Sequence, residues 1–177
     1  FGVQTTQTNA GDLAALEAAA RTPRTTAIVI ETPANPTLDI VDIRHAAEVA
    51  HANGARLVVD NTFATPILQQ PLALGADLVV QSSTKYLGGH GTVVGGGVIA
   101  RDKAFVAGPL LGIRKVFGSS PSPFDCWLLL QGVKTLELRV QRSTETAGRL
   151  APVLARHEMV AWVRYPGLAD DPGHEVA

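Results

Sequence analysis

Short apolar runs alternate with helical patterns through the first half of the chain. Three of these runs, Ala27–Ile30, Leu57–Asp60 and Leu78–Gln81, are almost continuously apolar and rich in β-branched residues. Such runs are typical of buried strands in a parallel sheet. Between the first two strands, Asp42 is a suitable cap for a helix and Gly54 a suitable end for it. The pattern predicts a three-layer α/β domain with a mostly parallel sheet.

The segments around these strands predict shorter elements. Residues 1–8 alternate weakly and predict a strand, and Asp12 caps a predicted helix that ends near Pro23. Residues 65–75 predict a turn with a short helix. Val98–Ala100 predict a fourth sheet strand, for which an antiparallel direction is open.

The last third of the chain predicts helix and then a new strand. Ser122 followed by proline is a typical helix start, and helical patterning continues to about His157 with a possible break near Gly148. Met159–Tyr165 predict a strand that Pro166 ends. This strand would open a second domain.

Composition excludes several classes of protein. The chain has 177 residues, a formal net charge of -1 and 18% charged residues, so it offers no basic face for nucleic acid or membrane lipid. It contains no apolar run of about 18 residues that could span a membrane. Cys126 is the single cysteine, which excludes an internal disulfide and fits a reducing compartment. We therefore expect a cytoplasmic protein that binds neither nucleic acid nor a membrane.

Polar side chains follow the three predicted parallel strands. In open α/β sheets, ligands bind beyond the carboxyl ends of the strands. Strand ends on one edge of the sheet are therefore expected to gather five side chains: Asn35, Asp60, Ser82, Thr84 and Lys85.

These side chains match the needs of pyridoxal 5′-phosphate (PLP). Its aldehyde takes a lysine amine, here Lys85, and its ring nitrogen takes a carboxylate, here Asp60. Its phosphate takes hydroxyl and backbone N–H donors, and Asn35 can donate to its ring hydroxyl oxygen. Taken singly, Asp60 could equally cap a loop, and Lys85 could be an ordinary surface lysine.

Four segments resemble one family of PLP enzymes. ETPANPTLDIVDI, LVVDNTFATP, LGADLVVQSSTKYLGGHG and SPFDCWLLLQGVKTLELR are similar to the trans-sulfuration family of cysteine and methionine metabolism. That family includes cystathionine gamma-synthase and gamma-lyase, methionine gamma-lyase and the homoserine-ester sulfhydrylases. The resemblance implies a fold-type I PLP enzyme.

The resemblance also implies roles for single residues. Asn35, Asp60 and Lys85 follow one another at intervals of 25 positions, as in the family's pattern. Lys85 matches the Schiff-base lysine and proton shuttle, and Asp60 the partner of the ring nitrogen. The remaining implied cofactor ligands are Asn35, Thr62, Ser82 and Thr84, with Glu31 and Tyr86 as more distant neighbours.

Family members are roughly twice as long as this chain. The resemblance implies that the chain includes parts of two of the family's domains. Residues 1–142 match the later part of the PLP-binding large domain. Residues 143–177 match a linker helix and the start of a small C-terminal α/β domain. The resemblance implies a homotetramer built as a dimer of dimers, with further active-site residues outside this segment.

The implied chemistry is elimination or replacement at the γ-carbon of an amino acid, of the cystathionine gamma-synthase or gamma-lyase type. Thr92 stands where many lyases and synthases have aspartate, which resembles the sulfhydrylases. The short stretch between Ala100 and Ser122 argues against that subfamily, whose members usually carry a long insertion there. A sulfhydrylase or methionine gamma-lyase therefore stays open as an alternative.

Other classes fit the sequence less well. Gly89, Gly91 and Gly95 are one residue off a dinucleotide-binding fingerprint, and a strand rather than a helix follows them. No G-x-S-x-G hydrolase elbow and no metal-ligand spacing occurs. A catalytically inactive fragment with only a structural or interaction role is the remaining alternative.

Overall fold

A computed structural model describes residues 2–9, 11–22 and 25–177, and in this part of the chain four strands form one sheet. The strands are β1 (Ala27–Glu31), β2 (Arg56–Asp60), β3 (Leu78–Ser82) and β4 (Gly96–Ala100), in that spatial order. β1, β2 and β3 are parallel, and β4 is antiparallel to β3. The predicted mostly parallel sheet is confirmed, and the open direction of the fourth strand is settled as antiparallel.

In chain order, helices lie before, between and after these strands. They are α1 (Leu13–Ala20), α2 (Ile43–Ala52), α3 (Thr65–Leu68), α4 (Lys103–Phe105), α5 (Leu111–Phe117), α6 (Pro123–Val133) and α7 (Leu136–Ala155). A 3₁₀ turn covers Pro71–Leu74, and π-helical turns cover Ser83–Leu87 and Val106–Leu110. The predicted helices from Asp12 and Asp42 are confirmed, and Pro23 lies outside the described residues.

The core lies where α2 packs on β1 and β2. The Asp42 carboxylate accepts hydrogen bonds from the N–H groups of Arg44 and His45, which satisfies donors at the start of α2. The buried face of α2 contains Ala46 and Ala50, whose small side chains let the helix approach the sheet. Leu57 is fully buried beneath it, which contributes about 1.5–3 kcal/mol. This packing of α2 on the sheet holds β2 in place, and with it Asp60 at the end of the strand.

β1 differs from the predicted fully buried strand. Its residues alternate between buried and exposed, and Val29 is 71% exposed whereas Ile30 is 4% exposed. The reason is that α2 covers one face of β1, while the described residues leave Val29 on the other face open to solvent. An apolar run predicts a strand, but it does not show whether the rest of the chain covers one face of that strand or both.

The C-terminal third departs further from the predictions. The helical stretch that begins at Ser122 breaks at Thr135 and not at Gly148, which lies inside α7. Met159–Tyr165 form no strand: Met159 lies in a turn, Ala161 in a bend, and the rest is irregular, because no neighbouring strand pairs with their backbone groups in the described chain. Residues 2–8 are likewise not a strand, and residue 1 lies outside the described part.

A helical segment from Lys103 to Phe117 was not predicted. The carboxylate of Asp102 caps it by accepting a hydrogen bond from the Ala104 N–H. Aspartate is a favoured residue at this position, so Asp102 was the available signal in the sequence. The expected division between residues 142 and 143 falls inside α7. That division stays a prediction.

Candidate active site

The ends of β2 and β3 are joined by a side-chain hydrogen bond. Asp60 is the last residue of β2 and pairs in register with Glu31 and Val80. Beyond that point, the Ser82 N–H donates to Thr62 Oγ1 at 2.9 Å. Thr62 is buried, so this bond is shielded from water. The bond links Thr62, two residues after Asp60, to Ser82, three residues before Lys85.

Asp60 is a partly buried carboxylate without a cationic partner. Its Oδ1 accepts a hydrogen bond from the Thr62 N–H at 2.9 Å. None of the ion pairs in the described part of the chain includes Asp60. A partly buried carboxylate is costly without a donor, and its second oxygen is free to accept from a protonated ring nitrogen. This arrangement fits the need of pyridoxal phosphate at that position.

Lys85 lies in the π-helical turn that follows β3. Its backbone angles, φ -92° and ψ -123°, interrupt the helical geometry of that turn. The Gly89 N–H donates to the Lys85 carbonyl at 2.7 Å, so the backbone around the lysine is bonded on its C-terminal side. The side chain is exposed, and the described residues give its amine no hydrogen bond or ion pair. The amine is therefore accessible to a ligand.

The two hydroxyls expected to hold the phosphate differ in their surroundings. Thr84 Oγ1 accepts from the Gly95 N–H at 3.0 Å and lies 3.3 Å from the Gly95 carbonyl, to which it donates. This contact ties the segment of Lys85 to the chain before β4. The Ser82 hydroxyl has no hydrogen-bond partner among the described residues, which leaves it free for an anionic group.

The structure does not bring all predicted residues into one cavity. A cavity of about 860 Å³ is lined by Lys85, Tyr86, Gly89, Leu138, Arg139, Arg142 and Ser143. Asp60 and Ser82 do not line it, although they are linked to the lysine segment through Thr62. Asn35 is exposed in the loop after β1 and also lies outside this cavity. The lysine thus faces a cleft against α7, and the carboxylate lies at the strand ends.

Two helix residues that pack against the turn of Lys85, Gly132 and Arg139, were not predicted from the sequence. Arg139 on α7 donates to the Tyr86 carbonyl at 2.8 Å, although 53 positions separate the two residues. Gly132 near the end of α6 lies so close to Gly88 that a Cβ at Gly132 would overlap the Gly88 carbonyl oxygen. A glycine inside a helix usually has a packing reason, and that was the available signal.

Residues 2–9, 11–22 and 25–177 contain no group of three or more His, Cys, Asp or Glu that could hold a metal ion. In the same ranges, no helix combines the length and the apolar character needed to cross a membrane.

The fold and the strand ends together define an α/β domain of the kind that PLP-dependent enzymes use, with an exposed lysine after β3 and, at the end of neighbouring β2, a carboxylate that has no ion-pair partner among the described residues. The whole of residues 1–177 matches the family described as Cys/Met metabolism PLP-dependent enzyme. The chain belongs to that family. The resemblance expected from the sequence is confirmed.

Individual relatives carry different activities. The chain is 49% identical over 177 residues to a cystathionine gamma-synthase of Mycobacterium tuberculosis, covering 100% of this chain and 45% of the relative. It is 44% identical over 177 residues to an O-succinylhomoserine sulfhydrylase of the same species, covering 100% of this chain and 43% of the relative. The chain therefore spans less than half the length of these relatives.

A solved structure has the same fold. The crystal structure of metB from Corynebacterium glutamicum superimposes with a TM-score of 0.95 at 44% identity, covering 99% of this chain and 45% of that chain. The predicted fold class is confirmed.

The bond between Thr62 and Ser82 can be tested by removing only the acceptor. We expect Thr62→Val to lower the free energy of unfolding by about 1–3 kcal/mol, because the Ser82 N–H loses its partner in a shielded position. Thr62→Ser, the matched control, keeps the hydroxyl and should retain most of the stability. Urea unfolding and hydrogen exchange at the Ser82 amide measure the effect. Equal stability and equal exchange in the two variants would contradict the role of this bond.

Proposed function

We propose that this chain holds pyridoxal phosphate in an enzyme of sulfur amino-acid metabolism that acts at the γ-carbon of its substrate, as a cystathionine gamma-synthase or gamma-lyase does. The observation that carries the proposal is the family match over residues 1–177. The free amine of Lys85 and the unpaired carboxylate of Asp60 support it, because they are the two groups that this cofactor needs.

Asp60 is proposed to bind the protonated ring nitrogen. Its Oδ1 is already held by the Thr62 N–H, which fixes the plane of the carboxylate and leaves Oδ2 for the ring. When bound, pyridoxal phosphate supplies an electron-withdrawing cationic ring. A charge-assisted hydrogen bond from Asp60 keeps that positive charge in place.

Lys85 is proposed to attach to the cofactor through its Nζ and, once released, to carry protons. The amine must be neutral when it accepts a proton from the substrate's α-carbon. It can then return that proton further along the substrate chain, since a flexible lysine side chain reaches both carbons. Lys85 would therefore serve as the base and the acid of the same cycle.

The remaining side chains are proposed to orient the cofactor. The free hydroxyl of Ser82 and the hydroxyl of Thr84 would hold the phosphate, although Thr84 must share its hydroxyl with Gly95. Asn35 would donate to the ring hydroxyl oxygen, and buried Thr62 would lie against the ring. The division into residues 1–142 and 143–177 belongs to the same proposal.

An oligomeric state and a cellular location are also part of the proposal. The family resemblance supports a homo-oligomer, a tetramer formed as a dimer of dimers, with an amino-acid substrate. It also supports a cytoplasmic enzyme. Size measurement of the full chain by light scattering tests the assembly directly.

Replacement by a thiol and elimination to a keto acid are the two candidate outcomes. The relative with the higher identity is a cystathionine gamma-synthase at 49%, which favours the synthase type over the sulfhydrylase type at 44%. The short segment between Ala100 and Ser122 agrees with this order, and Thr92 argues the other way. A sulfhydrylase or a methionine gamma-lyase is therefore the second candidate.

We expect Lys85→Ala in the full chain to abolish the visible absorbance of the lysine-bound cofactor and the borohydride-trapped adduct at position 85. The reason is that no other amine should attach to the cofactor at this site. Lys115→Ala, which removes an exposed lysine on α5, should change neither signal. An unchanged spectrum in Lys85→Ala would remove the lysine from its role. Absence of an adduct in the unaltered protein would favour the inactive structural fragment.

We expect Asp60→Ala to lower turnover by about 10²-fold or more, equivalent to about 2.7 kcal/mol of barrier. The ring would lose the carboxylate that stabilises its charge. Asp170→Asn removes an exposed carboxylate and serves as the control. Steady-state kinetics with saturating cofactor measure the change, and a near-normal rate in Asp60→Ala would refute the assignment.

A substrate panel separates the candidate reactions. The full chain with added pyridoxal phosphate is supplied with cystathionine, methionine, or acylated homoserine together with cysteine or sulfide. A synthase should form cystathionine from acylated homoserine and cysteine fastest, a sulfhydrylase should prefer sulfide, and a lyase should release a keto acid and ammonia. No turnover of any of these, with the cofactor bound at Lys85, would overturn action at the γ-carbon.

A further inference from the structure

Arg139 connects three backbone segments near Lys85. Its Nη1–H donates to the Tyr86 carbonyl at 2.8 Å, and its Nη2–H donates to the Gly132 carbonyl at 2.9 Å. Its Nε–H donates to Thr135 Oγ1 at 3.0 Å. All three nitrogens of the guanidinium are therefore bonded within the protein. This one side chain joins the residue after Lys85 to the end of α6 and the start of α7.

The backbone beyond Lys85 is also packed directly on this side chain. Gly89 has a φ of +72°, a conformation that favours glycine, and a Cβ added there would overlap the guanidinium of Arg139. A Cβ added at Gly88 would lie 2.6 Å from the Ser83 carbonyl oxygen and 2.7 Å from Val93 Cγ1. The absence of a side chain at Gly89 lets Arg139 reach the backbone of the lysine turn, and the absence of one at Gly88 lets that turn pack against Ser83 and Val93.

The two hydrogen bonds from Arg139 to backbone carbonyls are strong because their donor is charged. Gly132 lies in the last turn of α6, where the helix dipole places partial negative charge on the carbonyl groups, and its carbonyl also accepts from the Thr135 N–H at 3.3 Å. Charged hydrogen bonds of this kind are about twice as strong as neutral ones. The lysine turn is thus held from its C-terminal side, while Thr84 and Gly95 hold it from the N-terminal side.

We propose that Arg139 is a positioning residue, which fixes the backbone of the turn at Tyr86 and so directs the Lys85 amine toward the cofactor aldehyde. This inference rests on the proposed role of Lys85. The amine is exposed and has no hydrogen bond of its own in the described chain, so the backbone on either side is what restricts its direction. Without the Arg139 bridge, the turn moves more freely. The Lys85 amine then adopts the orientation that reaches the cofactor aldehyde less often.

A role in holding the substrate carboxylate is the competing explanation, because Arg139 lines the cavity with Lys85. Bidentate recognition of a carboxylate needs two parallel N–H donors of the guanidinium fork. Here Nη1 and Nη2 each already donate to a backbone carbonyl. The geometry therefore favours support of the lysine turn over direct binding of substrate.

The test compares Arg139→Gln and Arg139→Lys in the full-length protein with Arg149→Gln. The control removes an arginine that is exposed further along the same helix, α7. Three measurements are made: the rate at which added pyridoxal phosphate becomes attached to Lys85, hydrogen exchange of residues 83–90, and the separate values of kcat and KM. Borohydride trapping and mass spectrometry identify position 85 as the attached lysine.

We expect Arg139→Gln to slow attachment and to lower kcat by roughly 10- to 100-fold, with KM little changed, since a small misplacement of a reacting group is costly. Exchange in residues 83–90 should rise. Arg139→Lys keeps the charge but cannot bridge two carbonyls, so its effects should be intermediate. If Arg139→Gln does not fold, Arg139→Lys provides the same comparison in a folded protein.

Two results would overturn the inference. Attachment, exchange and kcat equal to those of Arg149→Gln would show that the bridge does not direct Lys85. A rise in KM with kcat and attachment unchanged would assign Arg139 to the substrate instead. Neither result affects the proposed function, which fails only if the unaltered protein attaches no cofactor at Lys85 or turns over none of the γ-substituted substrates.

Discussion

The hydrogen bond from the Ser82 N–H to Thr62 Oγ1 is the constraint on which the geometry of the site depends. The register between β2 and β3 reaches Asp60 and Val80 and then stops, whereas β3 continues to Ser82. Past Asp60, the Asn61 N–H still donates to the Val80 carbonyl at 2.9 Å, and Thr62 then supplies a side-chain acceptor for the Ser82 N–H. The chain after Asp60 and the chain before Lys85 are therefore kept at a fixed spacing by this backbone bond and by the buried Thr62 hydroxyl.

Arg139 forms its hydrogen bonds at the break between α6 and α7. A continuous helix would use the Gly132 carbonyl for its own backbone ladder. Here that carbonyl accepts from the Thr135 N–H at 3.3 Å and from Arg139 Nη2 at 2.9 Å, and the Arg139 side chain also reaches Tyr86. Arg139 thereby adds a charged donor to a carbonyl at the end of α6.

The strands and their polar ends could be predicted from the sequence because both signals are local. A run such as Leu57–Asp60 defines its own strand, and Asp60 then follows at its end whatever the rest of the chain does. The bridge from Arg139 to Tyr86 spans 53 positions and leaves no periodic trace in the sequence. The expected strand at Met159–Tyr165 failed for a related reason, since a strand exists only with a partner that the local pattern does not reveal.

In the proposed mechanism, elimination and replacement at the γ-carbon share their early proton transfers, so both would place the same demands on Lys85 and Asp60. The reactions diverge only when a thiol either does or does not attack the substrate after its γ-substituent leaves. Relatives with synthase and sulfhydrylase names match this same stretch at 49% and 44% identity. The part of the fold that holds the cofactor is therefore common to both outcomes. Specificity must come from residues that contact the γ-substituent or admit the thiol, and not from the lysine and carboxylate at the strand ends.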